Sequence, residues 1–144
     1  MRVYLDNCSF NRPFDDQTQA RIRLETEAKL YIQESIQAGT LELVWSYVLD
    51  FENTANPFDD RRITIERWKS VAALDVRETN EVLQTAMQLA SLGLKPKDAL
   101  HLACAMASRA DYFVTTDDRI LNRNTDVHGI EIVDPTVLVR RLNP

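Results

Sequence analysis

Apolar and polar positions change their period several times along this chain, and each change marks an element. Val3-Tyr4-Leu5 is a short, unbroken apolar run, as a strand buried on both faces requires. From Thr18 to Ala38 the period lengthens. Leu24, Ala28, Tyr31, Ile32 and Ile36 recur at helical spacing between charges, and Gly39 supplies a C-cap. Leu41, Leu43 and Trp45 then alternate with Glu42 and Val44, which predicts a second strand. Ser46 is placed to cap a helix that reaches about Asn56, where Pro57 stops it.

The spacing next predicts a helix over Asp59–Ala73 and a short strand over Leu74–Val76. A further amphipathic helix covers Thr79–Leu92, carried by Val82, Leu83, Ala86, Leu89 and Ala90 and closed by Gly93. Pro96 opens a buried helix spanning Lys97–Arg109. Tyr112–Thr115 reads as a strand, Asp117–Asn124 as a short helix, Ile130–Val133 as a strand and Pro135–Leu142 as a terminal helix. Strands separated by helices predict an α/β fold, a central, mostly parallel sheet with helices on both faces. With no internal repeat, low-complexity tract or linker, residues 1–144 read as a single domain.

Composition narrows the class. At 144 residues, 44% hydrophobic and 27% charged, the chain suits one ordinary globular core. No apolar run is long enough to span a bilayer. Asp6 interrupts any signal-peptide pattern in MRVYLDNCSF, so the expected location is cytoplasmic. The net charge of −5 argues against a general, high-affinity nucleic-acid binder but leaves a nuclease open. Cys8 and Cys104 are too few for a disulfide framework and lack zinc spacing; packing is the better role for both.

The candidate chemistry lies in four carboxylates, Asp6, Glu52, Asp98 and Asp117. Asp6 ends the first strand and Asp117 follows the strand at Tyr112, while Glu52 and Asp98 lie on helical stretches. Open parallel sheets bind ligands beyond the carboxyl ends of their strands. Four acids converging there could not all stay ionised without a cation, and oxygen ligands suit Mg²⁺ or Mn²⁺. Taken singly, Asp98 and Asp117 read as helix caps and Glu52 as an exposed helix residue. Taken together, the four favour a site.

The segments VYLDNCSFNRP, WSYVLDFE, KPKDALHLACA and FVTTDD, in that order, resemble the PIN domain family. The resemblance covers nearly the whole chain. It implies a PIN-like three-layer α/β/α sandwich and a small metal-dependent nuclease, with RNA the commoner substrate. Many members are VapC-like toxins of toxin–antitoxin pairs. It also implies the four-acid set: Asp6 ending strand one, Glu52 on the helix beyond Ser46 with Asp50 as its competitor, Asp98 opening D-A-L-H-L-A, and Asp117 in T-x-D. Asp6, Asp98 and Asp117 are the expected inner metal ligands, and Glu52 the residue that orients a water.

Asn7 and Ser9 occupy the polar turn after Asp6, where they are placed to hold a metal-bound water or a carboxylate. Thr115 leads into Asp117. Asp118 is left to cap the short helix near Arg119 or to orient that arginine. Arg12 and Arg119 are the best phosphate contacts among the flanking basic residues, because each follows a site aspartate closely. His101 shares a helix face with Asp98 and is expected to pack and hydrogen-bond beside the site. Trp45 and Trp68 are expected in the core. The expected partners are an RNA substrate, an antitoxin protein and a second copy of the chain, through Leu24, Tyr31 and Trp68. Two readings compete with the nuclease: a receiver-like acidic module, and a PIN scaffold without activity. Asp6 has no acidic neighbour and Val133 is followed by Asp134 rather than lysine, which disfavours the receiver.

Overall fold

In the computed structural model, which describes residues 1–144, five strands form one sheet. They are β1 (Arg2–Leu5), β2 (Glu42–Ser46), β3 (Leu74–Val76), β4 (Tyr112–Val114) and β5 (Glu131–Val133). Their spatial order is β3-β2-β1-β4-β5 and every pairing is parallel. The chain therefore leaves the central β1 in one direction, reverses, and completes the sheet on the other side. That reversal is a topological switch point, and the crevice beyond the carboxyl ends of β1 and β4 is where such sheets hold ligands.

Eight helices connect and cover the strands: α1 (Asn7–Asn11), α2 (Ala20–Gln37), α3 (Tyr47–Thr54), α4 (Asp59–Glu66), α5 (Asn80–Ala90), α6 (Pro96–Ala107), α7 (Asp118–Leu121) and α8 (Pro135–Leu142). Right-handed crossovers place helices on opposite faces when the direction of travel reverses. Accordingly α2 packs with α8 in one layer and α5 with α6 in the other, giving the α/β/α sandwich. The strands between these layers are apolar at their centres, with Val3, Tyr4, Leu5, Leu43, Val44, Trp45, Phe113 and Val114 fully buried. Trp45 is core, and Trp68 packs against that core.

Local signals explain the boundaries. At the end of α2, Gly39 takes φ +81, a conformation that strains other residues. Its N–H reaches the Ile36 carbonyl at 3.1 Å and the Thr40 N–H reaches Ser35 at 3.0 Å, the paired bonds of a Schellman turn. Ser46 Oγ accepts the Leu49 N–H at 3.2 Å, and Pro96 opens α6. The expected helix over Asp59–Ala73 divides instead: α4 stops at Glu66 and a 3₁₀ segment runs Arg67–Val71. The tighter coil lets the chain turn extended at Ala72, so that the Ala73 N–H joins the sheet on the Leu43 carbonyl at 2.9 Å.

The inward face of α2 also differs from its apolar reading. Ala28, Ile32 and Ile36 are buried as expected, but Leu24 and Tyr31 are 58% and 40% exposed. In their place Glu25, Thr26, Lys29 and Gln33 face inward. The cause is the segment that α2 covers. A 3₁₀ turn at Arg12–Phe14 presents polar groups: Arg12 pairs with Glu25 at 3.0 Å, and Thr26 Oγ1 donates to the Arg12 carbonyl at 3.1 Å.

Lys29 has no ion-pair partner, only the Phe10 ring 5.6 Å from its Nζ. Burial pulls its pKa down to about 7. The unfolded chain keeps the lysine proton up to its ordinary value near 10.4, so between pH 7 and 10 the unfolded state binds more protons and stability rises with pH. Below pH 7 the full penalty of the buried charge remains. A tenfold change in proton affinity is worth about 1.4 kcal/mol. Lys29→Met is therefore expected to stabilise the fold by several kcal/mol at pH 7, an advantage that shrinks towards pH 10. Urea unfolding of both proteins at the two pH values checks this. An equal advantage at both pH values would contradict it.

Candidate metal and active site

The site is built from the ends of two strands and from two helices. Asp6 follows β1, Glu52 lies on α3 after β2, Asp98 is in the first turn of α6, and Asp117 follows β4. All four line one open cleft of about 360 Å³, together with Asn7, Cys8, Asn11, Asp15 and Lys97.

Asp6 is the most constrained of the four. It is 6% exposed. Oδ1 accepts the Asn7 N–H at 2.7 Å, while Oδ2 accepts Thr115 Oγ1 at 2.9 Å and Cys8 Sγ at 3.3 Å. A carboxylate oxygen has two lone-pair directions. Both on Oδ2 are taken and one on Oδ1 remains. Burial and the Asp6 charge push the Cys8 thiol up to about 12, so Cys8 serves as a donor to Asp6 and not as a thiolate. Thr115 Oγ1 also accepts the Asp117 N–H at 3.1 Å and so ties the two strand ends together.

Glu52 is oriented from below. His101 is fully buried on α6, and its Nε2 is bonded to Glu52 Oε1 and stands 3.8 Å from Asp6 Oδ1. Nδ1 lies 2.6 Å from the Tyr4 hydroxyl, which lies 2.6 Å from Ser46 Oγ. Burial holds the Tyr4 phenol well above its ordinary pKa, so the hydroxyl keeps its proton. An ionised carboxylate only accepts, so Nε2 carries the proton to Glu52. In the neutral imidazole Nδ1 then accepts from Tyr4, and the tyrosine oxygen accepts from Ser46. Every donor in the chain Ser46–Tyr4–His101 points towards Glu52. Burial raises the Glu52 carboxyl, but the hydrogen bond from His101, with Lys97 and Asn7, outweighs it and holds the group below its usual range.

Asp98 behaves oppositely. Burial, then the charges of Asp6 and Asp117, raise its carboxyl above the usual range. Asp117 caps α7 through the Arg119 N–H at 2.9 Å and binds the Arg119 guanidinium at 3.1 Å through Oδ2. Burial opposes its ionisation, yet Arg119 prevails and holds it low.

These residues fit a divalent cation. The free donors are hard carboxylate oxygens, like charges crowd Asp98, and oxygens of Asp6 and Glu52 lie within 4.8 Å of one another and of the His101 ring nitrogen that is turned to Glu52. Asp98 and Asp117 line the same cleft but are outside that closest group, so the expected inner set of Asp6, Asp98 and Asp117 is not the tightest cluster.

Other expected roles move. Asp50 turns away, bonded to Trp45 Nε1 at 2.8 Å and Lys69 at 3.2 Å, which leaves Glu52 as the acid of α3 in the cleft. Ser9 is buried and donates to the Val114 carbonyl at 3.1 Å, so it fastens α1 to β4 and holds no carboxylate. Asp118 does not cap α7. Asp117 does, and Asp118 meets Arg21 at 2.8 Å instead, because the helix begins at Asp118 itself and not near Arg119. Arg12 is spent on Glu25 and Asp15, whereas Arg119 is 65% exposed at the rim. Tyr4 is the residue that sequence reasoning missed as part of the site, and Lys97, read only as one of several flanking bases, lines the cleft. A tyrosine in an apolar strand reads as core; its need for a hydroxyl partner was the available signal.

An acidic cleft at a switch point, with one carboxylate fixed by three donors, defines an α/β domain equipped to hold a divalent cation. The chain belongs to the PIN domain family, whose sequence model matches residues 3–125. No curated protein matches the sequence. Among solved structures, the fold is similar to a chain of VapBC2 from Rickettsia felis bound to a DNA fragment from their promoter. There the TM-score is 0.56 at 11% identity, covering 92% of this chain and 97% of that one. It is also similar to a chain of VapBC-1 from nontypeable Haemophilus influenzae, with TM-score 0.57, 15% identity, and 94% and 99% coverage.

Tyr4→Phe tests the directed chain. It leaves a buried imidazole nitrogen and a serine hydroxyl without their partner, at a cost of about 1–3 kcal/mol. Urea unfolding reads the cost, and nitrogen NMR of His101 reads the tautomer. Wild-type spectra in the variant would contradict the Ser46–Tyr4–His101 arrangement.

Proposed function

We propose that this protein is a Mg²⁺- or Mn²⁺-dependent ribonuclease that hydrolyses phosphodiester bonds, acting as the toxin of a toxin–antitoxin pair. The observation that carries the reading is the crowding in the cleft: Asp98 is raised by burial and by the charges of Asp6 and Asp117, an arrangement that a bound divalent cation relieves. Family membership supports the nuclease chemistry. The likeness in fold to chains of two VapBC complexes supports the toxin assignment. A non-catalytic acidic module has less support, because the family match favours a nuclease.

In this reading Asp6, Asp98 and Asp117 would hold the cation, which would supply water activation and neutralise charge on the scissile phosphate. Glu52, low in proton affinity and fixed by His101, stays ionised and holds the attacking water by accepting its hydrogen bond. Lys97 in the cleft and Arg119 at its rim are the cations placed to meet phosphate oxygens. The expected place of action is the cytoplasm. No helix is long and apolar enough to cross a membrane.

Two partners follow from the same reading. One is an antitoxin. The other is a second copy of the chain, for which Leu24 and Tyr31 present apolar surface, with Trp68 half-buried against the core. Light scattering at micromolar concentration is expected to show a dimer; a single species at 16.6 kDa would refute it.

Asp6→Asn is expected to abolish cleavage of labelled single-stranded RNA while circular dichroism stays unchanged, since removing one of several like charges relieves an empty site. Wild-type rates in the variant would sink the assignment. Excess Mg²⁺ or Mn²⁺ at constant ionic strength is expected to raise the unfolding midpoint, because the ion binds only the folded cleft. An unchanged midpoint with both ions would contradict the metal site.

A further inference from the structure

Beside the acidic cleft lies a second, open hollow of about 660 Å³, lined by Phe14, Pro57, Phe58, Asp59, Asp60 and Arg61. The two share no lining residue but are linked through adjacent residues. Asp15, which lines the cleft, directly follows Phe14, and Asn11 of the cleft accepts a hydrogen bond from Asn56 at 3.4 Å, two residues before Phe58.

Arg61 organises the hollow. Its guanidinium carbon lies 4.3 Å from the Phe58 ring centre and 5.3 Å from that of Phe14, and one of its nitrogens donates to the Phe14 carbonyl at 3.1 Å. It makes no ion pair, although Asp59 and Asp60 are near in sequence; Asp59 is taken by Arg62 at 2.8 Å. Phe58 remains 54% exposed despite this stacking. An exposed phenyl ring held against a planar guanidinium is a flat, polarised surface with both apolar and donor character.

We infer that this hollow is a stacking site for an unpaired base of the RNA strand whose phosphate enters the acidic cleft. The inference rests on the ribonuclease reading and extends it to substrate class. Single-stranded RNA is held by stacking bases on aromatic rings and on arginine planes, which requires no particular sequence. The acidic pair Asp59 and Asp60 disfavours a phosphate at the same spot, so the group recognised is the neutral base. A paired duplex keeps its bases stacked inside and cannot use the site. The site therefore selects single-stranded segments, loops and ends.

Phe58→Ala, Phe58→Trp and Arg61→Lys test this with short single-stranded RNA carrying 2-aminopurine. Ca²⁺ replaces Mg²⁺ in the binding arm, and Mg²⁺ is present in the cleavage arm. Wild-type protein is expected to quench the 2-aminopurine on binding. Phe58→Ala is expected to lose the quenching and to raise Kd and KM roughly tenfold with kcat unchanged, as for loss of one base stack. Phe58→Trp restores binding, and Arg61→Lys weakens it because it keeps charge without the plane. Circular dichroism guards against misfolding. If wild-type protein cleaves RNA and Phe58→Ala matches it in KM and quenching, the stacking site is wrong and the nuclease stands. If wild-type protein neither binds nor cleaves RNA with either ion, both readings fall. If Phe58→Ala leaves RNA binding intact and instead abolishes binding of a protein partner, the hollow is a protein-docking surface and the inference is overturned.

Discussion

Everything in the cleft is referenced to the Asp6 carboxylate. It stands at the end of the central strand, nearly sealed from water, and three donors from α1 and from the segment after β4 fix both of its oxygens. That fixation is possible because β1 and β4 run parallel and in register, with Leu5 opposite Val114. A slip of one residue would turn every side chain of β1 to the other face and dismantle the network. The rigid sheet thus sets the position of the acid, and the acid sets the charge that Asp98 and Cys8 feel.

Much of this was legible in the sequence, and particular residues show why. Val3-Tyr4-Leu5 and Tyr112-Phe113-Val114 are apolar at every position, as central parallel strands must be, so the sheet and the carboxylates at its edge could be read directly. Ser46 and Pro96 are local signals whose effects do not depend on distant contacts. What escaped depends on tertiary partners. The inward Glu25 and Thr26 of α2 are set by the Arg12 turn beneath them, and no periodicity in α2 announces that turn. That Asp117 and not Asp118 caps α7 follows from where the helix starts, which composition does not fix. Tyr4 joined the site only because His101 and Ser46, far away in sequence, converge on its hydroxyl.

The molecule places its polar burial unevenly. Under α2 it retains an unpaired lysine, against which only the face of Phe10 offers partial compensation. Beneath the cleft, by contrast, Ser46, Tyr4 and His101 satisfy one another in a continuous chain. A fully satisfied buried network rigidifies its surroundings. The rigid part lies under the acids whose geometry matters, and the outer surface beside it carries the exposed Phe58 and Arg61.

The central claim is that these carboxylates hold a divalent cation at the end of β1. Crystals grown with Mn²⁺, with anomalous diffraction recorded at an energy where manganese scatters strongly, test it directly. The account predicts an anomalous peak bonded to Asp6 Oδ1 within the cleft bounded by Glu52, Asp98 and Asp117. A cleft without such a peak at saturating Mn²⁺, or a peak that leaves Asp6 untouched, would contradict it.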